Sequence, residues 1–223
     1  MNRSMNISSR TAHRLALAGL VVALGTTTLS ACAPLVLGGA AASAFVATDR
    51  RTSGMQVEDQ SIQIKAANRL RDTLGGRGRV NTNAYNRTVL LTGEVDSDAD
   101  RAAAEQAVAR VENVVKVINQ LQVGPVASLS TRSSDVLLAG KVRATLVDAR
   151  DLMSNAFDIV VERGEVYLMG LVTEREAHRA AELTASIPGV KKVVKAFEVI
   201  SEDELANKLP RQPANSAPAA SGN

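Results

Sequence analysis

Few side chains in this 223-residue chain could do covalent or acid–base chemistry. There is one cysteine, Cys32, and of the two histidines only His178 lies in the body of the chain. A structural zinc site takes four ligands, mostly thiolate and imidazole, and a thiol nucleophile needs a base within hydrogen-bond reach. One thiol and one imidazole fall short of the first, and the second depends on the fate of Cys32. Glu174 and Glu176 could be cast as an acid/base pair. The run Thr173-Glu174-Arg175-Glu176 has a simpler reading as a capping box, with the hydroxyl on the third amide and the carboxylate on the cap amide. His178 falls in a charge-rich stretch and reads as a solvated surface residue.

The elements that must position these residues come from a duplication. Val166-Tyr167-Leu168-Met169-Gly170-Leu171-Val172 has a twin 77 positions earlier, Val89-Leu90-Leu91-Thr92-Gly93-Glu94-Val95. Val89, Leu91 and Val95, like Val166, Leu168 and Val172, recur at a period of two, which predicts half-buried strands. The shared glycine marks a bend, a bulge or close approach of another backbone. Matches continue on both sides of the strands, with a spacing of 72 before them and 76 after. Each unit reads as helix, strand, strand, helix, strand. In the first, Val57, Ile62, Ile64, Ala67, Leu70 and Leu74 predict the opening helix, stopped at Gly75-Gly76-Arg77-Gly78. Ser97 caps a second helix, with Ala104, Ala107 and Val111 inward, and Val115, Val117, Leu121 and Val123 suggest one last strand. In the second unit, Leu138, Val142 and Leu146 face the core, and a hairpin turns at Arg163-Gly164. Pro188-Gly189 ends the second helix, and 190–200 is the final strand.

The first 31 residues carry Arg3, Arg10 and Arg14 and no acid; the remaining basic residues balance the 23 acidic ones. The net charge of +3 therefore resides in a segment with a positive start, an apolar run from Leu15 to Leu24 and small residues after it. That run is too short to span a bilayer and reads as an export signal. Leu29-Ser30-Ala31-Cys32 resembles the lipobox of bacterial lipoproteins. The resemblance implies cleavage before Cys32, acylation of its thiol and amine, and a firm membrane anchor. The alternative is a plain signal peptide with an incidental cysteine. Ala33, where an Asp would retain the protein at the inner membrane, implies outer-membrane sorting. The Ala- and Gly-rich stretch 33–47 is either a segment lying against lipid or a flexible tether. Asp49-Arg50-Arg51-Thr52-Ser53-Gly54 closes it as a polar boundary.

Two αββαβ units with V-x-L-x-G-x-V before a capped helix resemble tandem BON domains. With the lipobox, the chain resembles the dual-BON-domain outer-membrane lipoproteins of Gram-negative bacteria. Its most family-like stretches are 47–52 and 170–176. The resemblance implies an α+β fold, with two helices on one face of a three-stranded mixed sheet in each domain. The expected division is 1–31 signal, 32–53 acylated tether, 54–124 first BON domain, 125–133 linker, 134–200 second BON domain and 201–223 disordered tail. It further implies a non-enzymatic protein without cofactor or metal, on the periplasmic face of the outer membrane, that supports membrane integrity. Such proteins bind anionic phospholipid through the second domain.

Nucleic acid is not an expected partner. The basic excess lies in the signal, and the chain has no tryptophan and 2% aromatics with which to stack bases. Gly75-Gly76-Arg77-Gly78 matches the G-x-x-G loop of KH RNA-binding domains, but that loop joins two helices and this one precedes a strand.

Within the second domain, placing Leu138, Val142 and Leu146 inward turns Leu137 and Lys141 outward. An apolar residue one turn from a cation suits a lipid interface, and Arg132 could add to it. Relatives often carry an aromatic near Leu137. By the spacing of 72, Leu137 corresponds to Lys65 and Lys141 to Arg69, so the first domain has no residue to insert. Lys191-Lys192 is a second basic cluster, or a solvated edge. The alternative function is an adaptor that binds an envelope protein partner without lipid recognition.

Overall fold

A computed structural model describes residues 49–208. The export signal, Cys32, the apolar stretch 33–47 and the tail from 209 lie outside the described residues.

Each repeat folds as its pattern dictates. The first contains α1 (Ser53–Leu74), β1 (Arg79–Tyr85), β2 (Thr88–Val95), α2 (Asp98–Ala109), β3 (Lys116–Asn119) and β4 (Gln122–Val123). The second contains α3 (Leu129–Asp148), β5 (Phe157–Glu162), β6 (Glu165–Val172), α4 (Glu174–Ala185) and β7 (Lys192–Val199). In both sheets the central strand pairs antiparallel with the strand before it and parallel with the strand after α2 or α4. The fold is thus α+β, as expected, with one difference. The last strand of the first repeat is split, so β3 and β4 pair separately with β2. Asn119 causes the break: its side-chain oxygen accepts from the Leu121 amide and its amide group donates to Arg101 O and Glu105.

The helical faces are sharper than the sequence suggested. Ile62, Ala66, Leu70 and Leu74 of α1 are buried, whereas Val57 and Ile64, expected inside, are exposed. Val108 shares the inner face of α2 with Ala104, where Ala107 was expected. Leu138, Val142 and Leu146 of α3 pack against Val166, Leu168 and Val172 as anticipated. Ser97 and Thr173 cap α2 and α4, the latter as a full capping box. The strand glycines mark close approach: a Cβ on Gly93 would overlap the carbonyl oxygen of Arg79, and one on Gly170 that of Ala156.

The central strands are not half-buried. Every residue from Val89 to Val95 and from Val166 to Val172 is buried. The second face of each sheet contributes to a shared core of Tyr85, Leu90, Tyr167, Met169, Leu171, Ala196, Ile200 and Leu205. Leu205 comes from α5 (Glu202–Lys208), a helix where the sequence suggested a disordered tail from Ser201. Ser201 caps it, accepting from the Glu204 amide while Glu204 accepts from the Ser201 amide. This Ser-x-x-Glu box was the available signal.

The polar boundary before α1 is a clasp. Arg50, 8% exposed, forms a two-pronged pair with Glu176, both distances 2.7 Å, and donates to Leu171 O at 2.8 Å. Arg51 pairs with Asp49 and Asp59 and lies 4.0 Å from the centre of the Tyr85 ring. The two most family-like stretches of the sequence therefore meet in space. Burial acts to raise the Glu176 pKa, but the hydrogen bonds from Arg50 and from the Thr173 amide outweigh it and hold the carboxyl below the ordinary glutamate range.

A depressed carboxylate stabilises the fold above its unfolded pKa and loses that contribution as pH falls through its folded pKa. Arg50→Ala strands a buried carboxylate, so it should cost about 3–5 kcal/mol and lower Tm by on the order of 10 °C. Thermal melts between neutral pH and pH 3 should show the parent losing stability on acidification through this carboxylate, and Arg50→Ala losing less.

Candidate functional site

The face proposed for lipid is carried by α3, and its orientation is set by a cap, a buried aspartate and an apolar stripe. Ser128 caps the helix through the Thr131 amide at 3.1 Å. Asp135, one turn before the core stripe, accepts the amides of Arg163 and Gly164, each at 2.8 Å, and so pins the β5–β6 hairpin. Leu138, Val142 and Leu146 then fix the helix against the sheet. Residues one position away must point elsewhere, and Leu137 is 70% exposed.

Leu137 and Lys141 line one open groove of about 440 Å³ with Ser130 and Ser134, closed on its far side by Gly164, Gly189 and Lys191. The Lys191 ammonium donates to Arg163 O at 2.9 Å. The sequence treated Lys191-Lys192 as a separate cluster; the fold splits it. Lys191 joins the groove, while Lys192 pairs with Glu165 at 3.4 Å. Arg132 does not join. It lines a neighbouring hollow of about 300 Å³ with Arg79, Val136, Ala139 and Glu162, on the other flank of Asp135. At about 100° per residue, Arg132 and Leu137 lie roughly 140° apart around the helix. Val136 in this second hollow is as exposed as Leu137. The apolar run 136–138 was the signal for it, since only one of three successive helical residues can face the core.

The first domain offers the comparison. Asp59 of α1 accepts the amides of Asn86 and Arg87, each at 2.8 Å, as Asp135 does in the second domain. Thr52 and Ser128 are the matching caps. The opening helices are therefore related by 76 positions, and the spacing of 72 was wrong by one helical turn. Leu137 corresponds to Ser61 and Lys141 to Lys65. Lys65 is paired with Glu112 at 3.0 Å.

Among the described residues, the side chains weighed for chemistry lie apart from one another. His178 is exposed on α4 beside Glu182, at 3.5 Å. Glu174 is exposed, and Glu176 is committed to its cap and to Arg50. The Gly75–Gly78 loop joins a helix to a strand. Among the described residues no group of three or more His, Cys, Asp or Glu is placed to hold a metal, and no helix is long and apolar enough to cross a membrane.

Between the domains lies a buried ionic cluster. Arg163 donates to Glu94 at 2.6 Å, and Arg79 and Asn81 of the first domain both bond Glu162 of the second. Burial raises the Glu162 pKa, Arg79 opposes that, and Glu94 and Asp135 add to it; the net direction is upward.

Comparison with known proteins agrees with this architecture. The BON domain model matches residues 58–125 and 134–201. The outer membrane lipoprotein DolP of Haemophilus influenzae is 37% identical over 185 residues, covering 81% of this chain and 95% of that protein. The 21 kDa hemolysin of Actinobacillus pleuropneumoniae is 28% identical over 154 residues, covering 68% of this chain and 79% of the relative. Two BON domains, and similarity running through nearly the whole of a lipoprotein relative, establish that this chain belongs to the dual-BON outer-membrane lipoprotein family.

Proposed function

We propose that this protein is an outer-membrane-anchored periplasmic lipoprotein that binds anionic phospholipid through its second BON domain and thereby supports membrane integrity. It is a binding protein rather than an enzyme. Its expected organisation is a signal through residue 31, an acylated tether from Cys32, and the two domains.

The observation that carries the lipid reading is Leu137, exposed beside Lys141 on a helix whose orientation is fixed from within. The leucine can enter the acyl boundary while the cation meets phosphate. Partial burial of one leucine contributes roughly 1–2 kcal/mol, and each cation near an anionic surface about 1 kcal/mol. Neither holds a soluble domain alone. The contact is weak by itself and is reinforced by the acyl chains on the same polypeptide. The first domain has Ser61 and the paired Lys65 at the matching positions, so it lacks the insertion. Arg132, set apart in the neighbouring hollow, belongs to the reading as a peripheral cation.

Two outcomes are expected. In an NMR titration of residues 48–223, which hold both BON domains, micelles containing phosphatidylglycerol should shift signals at 132–144, and zwitterionic micelles should not. Leu137→Glu should abolish the shifts while the domain stays folded; shifts confined to the first domain would refute the assignment. In cells, Cys32→Ala should move the protein from the membrane to the soluble periplasmic fraction. A variant as membrane-bound as the parent would place the anchor elsewhere.

A further inference from the structure

The two domains share one backbone frame around the groove, which lets their chemistry be compared position by position. The Lys191 amide donates to Gly164 O at 2.9 Å, and the Val115 amide donates to Arg87 O at 2.9 Å. Lys191 is therefore the counterpart of Val115, and Gly164 of Arg87. One turn earlier, Val190 bonds back to Ile187 O as Val114 does to Val111 O. Pro188 thus stands where the first domain has Glu112.

These substitutions shift the electrostatics: Lys65, Glu112 and Arg87, whose guanidinium donates to Asn113 O, leave the first frame one net positive charge, against two in the second. In the first domain Lys65 meets Glu112 and the pair cancels. In the second, Lys141 faces a proline, and Lys191 adds a second cation to the same groove. Asp135 is the acid lining that groove, and both of its oxygens are taken by hairpin amides. Gly164 gives Lys191 its position: a Cβ there would lie 3.2 Å from two carbons of the lysine stem, and 3.3 Å from Gly189 O. The ammonium is held by a single carbonyl, Arg163 O, which an anion can replace without stranding a charge.

We infer that Lys141 and Lys191 together receive the phosphodiester of one lipid headgroup in this groove, with Leu137 entering the acyl region beside it. Pro188 keeps the groove free of the acid that closes its counterpart. The inference deepens the lipid reading above and rests on it. It moves the charge recognition from the helix alone to the α3 helix and the turn before β7. The ligand is a headgroup at a membrane surface rather than a free phosphate, because half of the contact is the leucine.

The test is vesicle sedimentation of residues 48–223 with phosphatidylcholine vesicles containing phosphatidylglycerol, alongside circular dichroism melts of every variant. Lys191→Gln should weaken binding about fivefold, the factor matching ~1 kcal/mol for one cation at an anionic surface. Pro188→Glu, which changes neither lysine, should weaken it at least as much by supplying Lys141 with the partner that Lys65 has. Val115→Lys in the first domain should not compensate. If Lys191→Gln and Pro188→Glu both bind like the parent while Leu137→Glu does not bind, the two-lysine cradle is wrong and the lipid reading stands. If Leu137→Glu binds like the parent, the lipid reading itself fails. A free-phosphate arm separates the sources: inorganic phosphate should produce no saturable shift at Lys141 or Lys191, and a saturable shift equal to that with vesicles would overturn the headgroup assignment.

Discussion

The structure depends on burying both faces of two strands. β2 and β6 each carry one apolar set for their own helices and a second for the other sheet. A sheet covered on one side only would leave Leu90, Tyr167, Met169 and Leu171 in water, each forfeiting about 1.5–3 kcal/mol of burial. The shared core and the helices then divide the labour. Helices α1 to α4 complete the two separate cores, and α5 places Leu205 in the core shared by the sheets. The orientation of α3, and hence of the exposed Leu137, follows from a sheet that is itself held on its other face.

Polar contacts fix the register of this packing. Glu94 and Glu162 are buried acids on facing strands, each answered by an arginine from the opposite domain. Buried ion pairs add little net stability compared with apolar packing, but breaking one is costly, so they oppose any sliding of one sheet over the other. Glu162, its carboxyl raised by burial, works against stability as pH rises from the ordinary glutamate value through its folded value. Glu176, held low by Arg50, has the opposite sign. The Arg50 clasp ties the segment before α1 to the second domain, while Arg51 ties it to α1 of the first. Residues 49–51 therefore meet both domains at one fixed point.

Much of this was legible in the sequence, for physical reasons. Period-two and helical patterns are local, so the duplication, element order, caps and hairpin turns could all be read. What could not be read were contacts between elements remote in sequence. Nothing local says that Arg50 will find Glu176, or that Tyr167 and Met169 will face a second sheet, although the uninterrupted apolar run 166–169 is typical of a strand buried on both sides. The misplaced helix register had a similar cause. Leucine stripes repeat every turn, so a shift of four residues preserves the pattern; the Asp59 and Asp135 contacts with the hairpins and the matching caps remove the ambiguity. Leu137 and Lys141 could be read as neighbours because they share a helix. Lys191 was separated from them because its place in the groove depends on the sheet, and Arg132 was joined to them because proximity in sequence hid its different face.

The central claim is that the two domains, alike in backbone, present different surfaces to lipid. Paramagnetic relaxation in nanodiscs with a spin label on the lipid headgroup measures this directly, without any substitution in the protein. Amides at 130–141 and 189–191 should broaden strongly in anionic nanodiscs, while those at 61–65 and 112–115 should not. Equal broadening at both sets, or broadening only at the first, would contradict it.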